Sequence, residues 1–223
     1  MEKMKLKQKA AQRGGDLEGQ VFHLIKYLKV KQERRVWHMN KPLFLFVGKS
    51  SSGKTTIADM LSNDGYSQVY SYTTRPPRYE GEIGHTFLTD EEYDKLENIV
   101  ASTLYNGYRY CTTLDQIQEV DLYVVDIPGV KTLLENYDKL NRKIYVLYFS
   151  VGVYHRIQRM ISRGDSDTQI VSRLLTDEKE DWLDKLLDLN ENRKMFDLKI
   201  VAANDPLDVV YNRVKEYIKE NSR

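Results

Sequence analysis

Five apolar residues, Leu43-Phe44-Leu45-Phe46-Val47, run directly into Gly48-Lys49-Ser50-Ser51-Ser52-Gly53-Lys54-Thr55. This junction constrains the fold more than any other part of the chain. An unbroken apolar run suits a strand covered on both faces, as in a parallel sheet. The residues after it match G-x-x-x-x-G-K-S/T, a P-loop. Its glycines let successive backbone N–H groups turn towards a phosphate where a helix begins. A helical pattern from Lys54 to Leu61 supplies the context that the motif needs.

Beyond it, short β-rich runs alternate with helical patterns, which predicts an α/β fold with a mostly parallel sheet. Further strands are expected at Val69–Tyr72, Leu122–Val125, Lys143–Phe149 and Leu198–Ala202. Helices are expected at Asp90–Leu96, Tyr154–Ile161 and Thr168–Leu187, and after Pro206. Ile99–Tyr105 and Tyr108–Cys111 flank Asn106-Gly107, a strong hairpin signal. Thr73–Thr86 reads as a polar loop stiffened by Pro76 and Pro77.

The 223 residues can bury one core, or one core with a small appendage. A net charge of +1 conceals an asymmetry: residues 1–41 hold eleven Lys and Arg against four Asp and Glu, a local +7, which leaves −6 for residues 42–223. The chain therefore reads as a basic extension over 1–41, partly helical or disordered, followed by a domain over 42–223. Val21, Leu24, Ile25 and Leu28 recur at helical spacing with Lys26, Lys29 and Lys31 between them. A solvated extension, an amphipathic helix docking on the domain or on a second subunit, and a contact with nucleic acid or another acidic partner all fit this arm. Met39 stands just before the first strand and is a candidate start. A single cysteine, Cys111, excludes an internal disulfide and suits a reducing compartment. No apolar run approaches a membrane span, and a polar stretch follows the basic N-terminus where a signal peptide would be apolar. The expectation is a soluble, cytoplasmic protein with no membrane partner. His23, His38, His85 and His155 lack metal-ligand spacing.

Several residues carry chemistry. Lys54 is expected to reach the β- and γ-phosphates of ATP and the Thr55 hydroxyl to hold Mg²⁺, with Gly48, Ser51, Ser52, Gly53 and Thr56 completing the ATP site. Asp126, at the end of an apolar strand, is a second carboxylate for the metal or its waters, or a solvated strand end. Arg75 and Arg78 stand three apart on the proline-stiffened loop. They can grip a phosphate dianion, or belong to a solvated basic loop. Arg159 and Arg163 share one face of a predicted helix. There they can stabilise the charge that develops in phosphoryl transfer, or pair with Asp165 and Asp167.

From Ser71 the chain reads S-Y-T-T-R-P-P-R-Y-E-G-E-I-G. This resembles the acceptor segment of the guanylate kinase family, S-x-T-T-R-x-P-R-x-G-E-x-x-G. The resemblance extends from about residue 43 to about residue 220. Tyr110-Cys111-Thr112 resembles Y-G-S/T, and Val125-Asp126-Ile127-Pro128-Gly129 resembles the strand-end D-x-x-G. Arg159-Met160-Ile161-Ser162-Arg163-Gly164 resembles the lid R-L-x-x-R-G, Arg173-Leu174 its downstream R-L, and Asn204-Asp205 the N-D near the adenine. The resemblance implies a P-loop NTPase with a parallel-sheet core, a mixed-strand acceptor lobe over about 72–113 and an arginine lid over about 156–175. It implies an ATP- and Mg²⁺-dependent nucleoside monophosphate kinase whose partner is a small-molecule nucleotide, GMP or dGMP by default. Ser71, Arg75, Arg78 and Tyr110 would hold the acceptor phosphate, Thr112 and Asp126 would face the acceptor, and Asn204 would lie near the adenine. Lys54, Arg159, Arg163 and Arg173 would be catalytic.

Departures from the pattern cluster on base recognition. His85 stands for a phosphate-binding tyrosine, Ala101 for the glutamate that reads guanine, Val124 for the first acid of D-x-D, and Cys111 for a glycine. Without its acid, the pocket is expected to keep its grip on phosphate while losing selectivity for guanine. A same-fold kinase for another nucleotide or a ribose phosphate stays open, as does a catalytically inactive, protein-binding domain. Monomer and homodimer both fit the sequence.

Overall fold

The computed structural model describes residues 21–30, 41–105, 107–179, 181–191 and 194–222. The chain divides into two units, Met1–Trp37 and His38–Arg223. In the first, residues 21–30 are helical. The expectations for residues 1–20, Met39 and Asn106 lie outside the described residues.

The second unit opens with β1 (Leu43–Val47), α1 (Lys54–Asn63), β2 (Tyr72–Thr73), β3 (Thr86–Phe87) and α2 (Asp90–Tyr93). It continues through β4 (Ile99–Tyr105), β5 (Tyr108–Thr113), α3 (Leu114–Gln118), β6 (Leu122–Val124), α4 (Ile127–Glu135) and α5 (Tyr137–Leu140). The last elements are β7 (Ile144–Ser150), α6 (Val153–Ser162), α7 (Asp167–Asp177), α8 (Trp182–Glu191), β8 (Phe196–Ala202) and α9 (Leu207–Asn221).

The described residues form two four-stranded sheets. One is all parallel in the order β6-β1-β7-β8, and the other is mixed in the order β3-β2-β5-β4. Alternation along the parallel strands sends side chains into two separate cores. Leu43, Leu45 and Val47 pack with Val130 and Leu133 of α4 and with Leu186 of α8. Phe44 and Phe46 pack on the other face with Ile57 and Leu61 of α1 and with Val210, Val214 and Ile218 of α9. Helices therefore cover both faces, the physical reason that β1 carries no polar residue. Among the described residues no helix is long and apolar enough to cross a membrane.

Three elements differ from their sequence reading. The strand expected at Val69–Tyr72 keeps only its last residue. Gln68 bridges Leu122 of the parallel sheet, and β2 itself starts at Tyr72, between β3 and β5. The helical run 168–187 breaks into α7 and α8, because the Asp181 carboxylate accepts the Leu183 and Asp184 amides and starts a new helix. Pairing with β7 carries β8 back to Phe196.

Candidate functional site

Residues 48–53 turn the chain from β1 into α1. Gly48 has φ +153, and a Cβ there would meet the Phe149 carbonyl at 2.7 Å, so only glycine lets this loop lie against β7. Gly53, at φ +95, is the N-cap of α1 and accepts the Ile57 N–H at 3.0 Å. Lys54 Nζ lies back across the loop, donating to Gly48 O (2.6 Å), Lys49 O (3.0 Å) and Ser52 Oγ (3.1 Å). Its pKa falls to about 8; burial is the main cause, and Asp177, then Asp126, oppose it, while Arg156 reinforces it. Thr55 and Thr56 are exposed on the first turn of α1. A glycine-bracketed loop with its lysine thus leaves the carboxyl end of a central parallel strand. The fold is that of a P-loop NTPase.

The α6–α7 segment is anchored on this loop by a buried ion pair. Arg156 on α6 and Asp177 at the end of α7 are 1% and 2% exposed, and their side chains bond directly. Asp177 accepts the Ser50 N–H at 2.8 Å and pairs with the Ser50 hydroxyl at 3.2 Å, while Arg156 Nε donates to Ser50 O at 2.9 Å. Glu178 joins Arg156 Nη1 (2.9 Å) to Lys49 Nζ (2.8 Å) at the surface. Sequence reasoning missed all three of these residues. Their nearest partners in the loop lie more than a hundred residues away along the chain, and no local pattern marks them.

Of the arginines expected to act together, Arg159 stands apart from the others. It donates to Ser51 O (3.2 Å) and Ala203 O (2.7 Å), and so bridges the P-loop to the end of β8. Burial lowers its pKa from the usual arginine value. Arg163 and Arg173 instead share Asp165, which accepts from Arg163 Nε at 2.9 Å and lies 3.5 Å from Arg173 Nε. The Arg163 hydrogen bond is the main cause of Asp165's lowered pKa. Asn204 Oδ1 accepts the Gly152 N–H at 3.1 Å and ties the β8 end to the start of α6.

On the other sheet, Arg75 and Arg78 converge on one acid, Glu82. The Arg75 fork reaches both carboxylate oxygens (2.8 and 3.2 Å), and the Arg78 backbone N–H donates to the same group at 2.6 Å. The Arg75 hydrogen bonds hold the Glu82 carboxyl down at about 2. Arg75 is buried while the Arg78 side chain is 61% exposed, so their roles differ. Arg75 Nε is out of solvent and finds no hydrogen-bond partner among the described residues. Glu82 is the E of the G-E in the motif, so its place was legible although its role was not. Ser71 Oγ pairs with His85 Nδ1 at 3.0 Å, and the His85 ring meets Tyr110 edge-on at 5.5 Å between centroids. Burial, and then the Arg75 charge, keep the His85 pKa below the ordinary histidine value.

Next to this cluster, β4 and β5 place Ala101 opposite Thr112, both fully buried. The Thr112 hydroxyl donates to the Tyr123 phenol at 2.9 Å and is thus engaged within the protein. Asp126 is the N-cap of α4 and accepts the Gly129 N–H at 2.9 Å. Burial raises its pKa, and Lys54 is among the groups that pull it back down, so the two face one region.

Among solved structures, the chain is similar to a guanylate kinase from Anaplasma phagocytophilum, with 14% identity over 82% of this chain and 87% of that one and a TM-score of 0.48. It is also similar to a polyphosphate kinase 2 from Arthrobacter aurescens TC1, with 13% identity over 86% of this chain and 74% of that one and a TM-score of 0.40. No family model and no curated protein matches the sequence.

Proposed function

We propose that this protein transfers the terminal phosphoryl group of ATP to a nucleoside monophosphate, with GMP or dGMP as the first acceptors to try. One observation carries the reading. Among the described residues, the two loops that would each grip a phosphate both hold a polar atom that is out of solvent and meets no hydrogen-bond partner, Ser51 Oγ and Arg75 Nε. Buried polar atoms in native proteins normally find partners, and a phosphate oxygen would supply one in each loop.

The residues present fit the cofactors that this reaction needs. The P-loop would hold the triphosphate, with Lys54 moving from the loop carbonyls to its phosphates. Among the described residues no group of three or more His, Cys, Asp or Glu can hold an ion by itself. Mg²⁺ does not require one, since it keeps several waters and takes few protein oxygens; Thr55 and Asp126 would contribute here. When bound, the ion would neutralise charge on the phosphate oxygens. On the acceptor side, Arg75, Arg78, Ser71 and Tyr110 would hold the monophosphate, with Glu82 fixing the Arg75 fork so that little entropy is lost on binding. A phosphate oxygen of the acceptor would attack the γ-phosphorus as the bond to ADP breaks. Arg159, and Arg163 and Arg173 once released from Asp165, would stabilise the equatorial charge.

A second reading, the same reaction on another nucleotide, draws on Ala101 and Thr112. The first has no polar side chain, and the second already gives its hydroxyl to Tyr123. The test is ADP formation from Mg·ATP against a panel of ribo- and deoxynucleoside monophosphates, with ribose phosphates included. Turnover with one or more nucleotides is expected. Tight ATP binding without turnover on any acceptor would defeat the proposal.

Lys54 adds a pH signature. Its amine is charged below about 8 and neutral above. Affinity for Mg·ATP should therefore fall as pH rises from 7 to 9.5, and binding near pH 8 to 9 should take up protons, because phosphates restore the charged form. Calorimetry in two buffers of different ionisation enthalpy reads both effects. For stability the sign is opposite. The fold favours the neutral amine, so this group costs stability below its ordinary value of 10.5, and the cost is complete below about 8.

A further inference from the structure

The helix of the first unit, residues 21–30, is exposed along its whole length. At 3.6 residues per turn, Val21, Leu24, Ile25, Tyr27 and Leu28 fall within an arc of about 160° on its surface. Their exposures are 48%, 56%, 46%, 62% and 52%, so the stripe they form is open. His23, Lys26 and Lys29 lie on the opposite side, with Phe22 and Val30 between them. Five large apolar side chains on one face of an exposed helix form a binding surface. The charges around that surface are of one sign. Residues 19–32 contain Lys26, Lys29 and Lys31 and no Asp or Glu, and Arg34 and Arg35 follow closely.

We infer that this helix lies in the plane of a bilayer surface that carries anionic headgroups, its apolar stripe among the acyl chains and its lysines at the phosphates. The partner has to offer an apolar phase beside negative charge, and an anionic bilayer offers both. Tyr27, at one edge of the stripe, has the apolar ring and polar tip that suit the boundary between them. Nucleic acid would supply the phosphates but no apolar cover for the stripe. A second copy would cover the stripe, but paired helices set acids against bases along their flanks, and here only lysines would meet. The expectation of no membrane partner rested on the length of the apolar runs. That length excludes a crossing, not a helix lying in the surface. The inference concerns the first unit alone and is independent of the nucleotide site in the second.

The test is flotation of the full chain with phosphatidylcholine vesicles, with and without phosphatidylglycerol. The chain should float with the anionic vesicles, bind the neutral ones at least about ten-fold more weakly, and be released in part at about 0.5 M salt. Two double variants separate the contributions. Leu24→Gln with Leu28→Gln breaks the stripe and keeps every charge, while Lys26→Gln with Lys29→Gln does the reverse. Each should reduce binding to anionic vesicles by about ten-fold or more. Both should melt at the wild-type temperature, because all four side chains are exposed. Equal binding by the leucine variant would overturn the inference, since charge alone would then hold the chain. No flotation with anionic vesicles would also overturn it. Ultracentrifugation of the wild type and the leucine variant would then show whether the stripe joins two copies instead.

Discussion

Lys54→Met is expected to lower the rate of phosphoryl transfer by at least about a thousand-fold, with the fold left intact. The magnitude is that of one positioned cation on developing negative charge, about 4 kcal/mol at room temperature. Methionine keeps the apolar stem and deletes only the ammonium. In the resting protein that ammonium contacts two carbonyls and a hydroxyl. Burial lowers its pKa to about 8, which shows that its surroundings do not fully compensate its charge. Deleting it should leave unfolding stability within about 1 kcal/mol of the wild type, as the lost hydrogen bonds and the relieved desolvation offset one another. Steady-state ADP formation and a urea denaturation curve on the same preparation check both halves. Turnover within ten-fold of the wild type would remove Lys54 from the chemistry.

The largest stability effect is expected at Asp177. Its side chain and that of Arg156 are 3% and 2% exposed, so each charge depends on the other. Glu178, half exposed, is too well solvated to replace Asp177. Asp177→Asn should destabilise the fold by about 3–5 kcal/mol, because the guanidinium stays buried without its counter-charge. For a chain of this size that is a fall in melting temperature of roughly 10 °C. Replacing both partners with apolar residues, Arg156→Met with Asp177→Leu, should recover most of the loss, since buried pairs roughly balance their own desolvation. The double variant should still bind Mg·ATP poorly, because Ser50 then has no acceptor for its N–H and no donor for its carbonyl. Stability and nucleotide affinity would separate. A double variant as unstable as the single one would mean that the pair does more than neutralise itself.

By itself, the sequence determined the parts of this protein whose physics is local. The run Leu43–Val47 into Gly48–Thr55 required a buried strand, a glycine turn and a helix, and these are present at β1, the loop and α1. The alternation of elements required a parallel sheet with helices on both faces, because each apolar strand must be covered twice. The spacing of Arg75 and Arg78 on their loop was also local, and so was the proximity of Glu82. Tertiary structure alone decided what the charged groups do. Because β1 and β7 are parallel neighbours, the loops at their carboxyl ends meet, and α6 and α7 come to lie on the P-loop. That contact gave Asp177 and Arg156 to Ser50, parted Arg159 from Arg163 and Arg173, and left the Ser51 hydroxyl unpaired. None of this is periodic or contiguous in the chain. It follows from strand order, and only folding brings those residues within reach of one another.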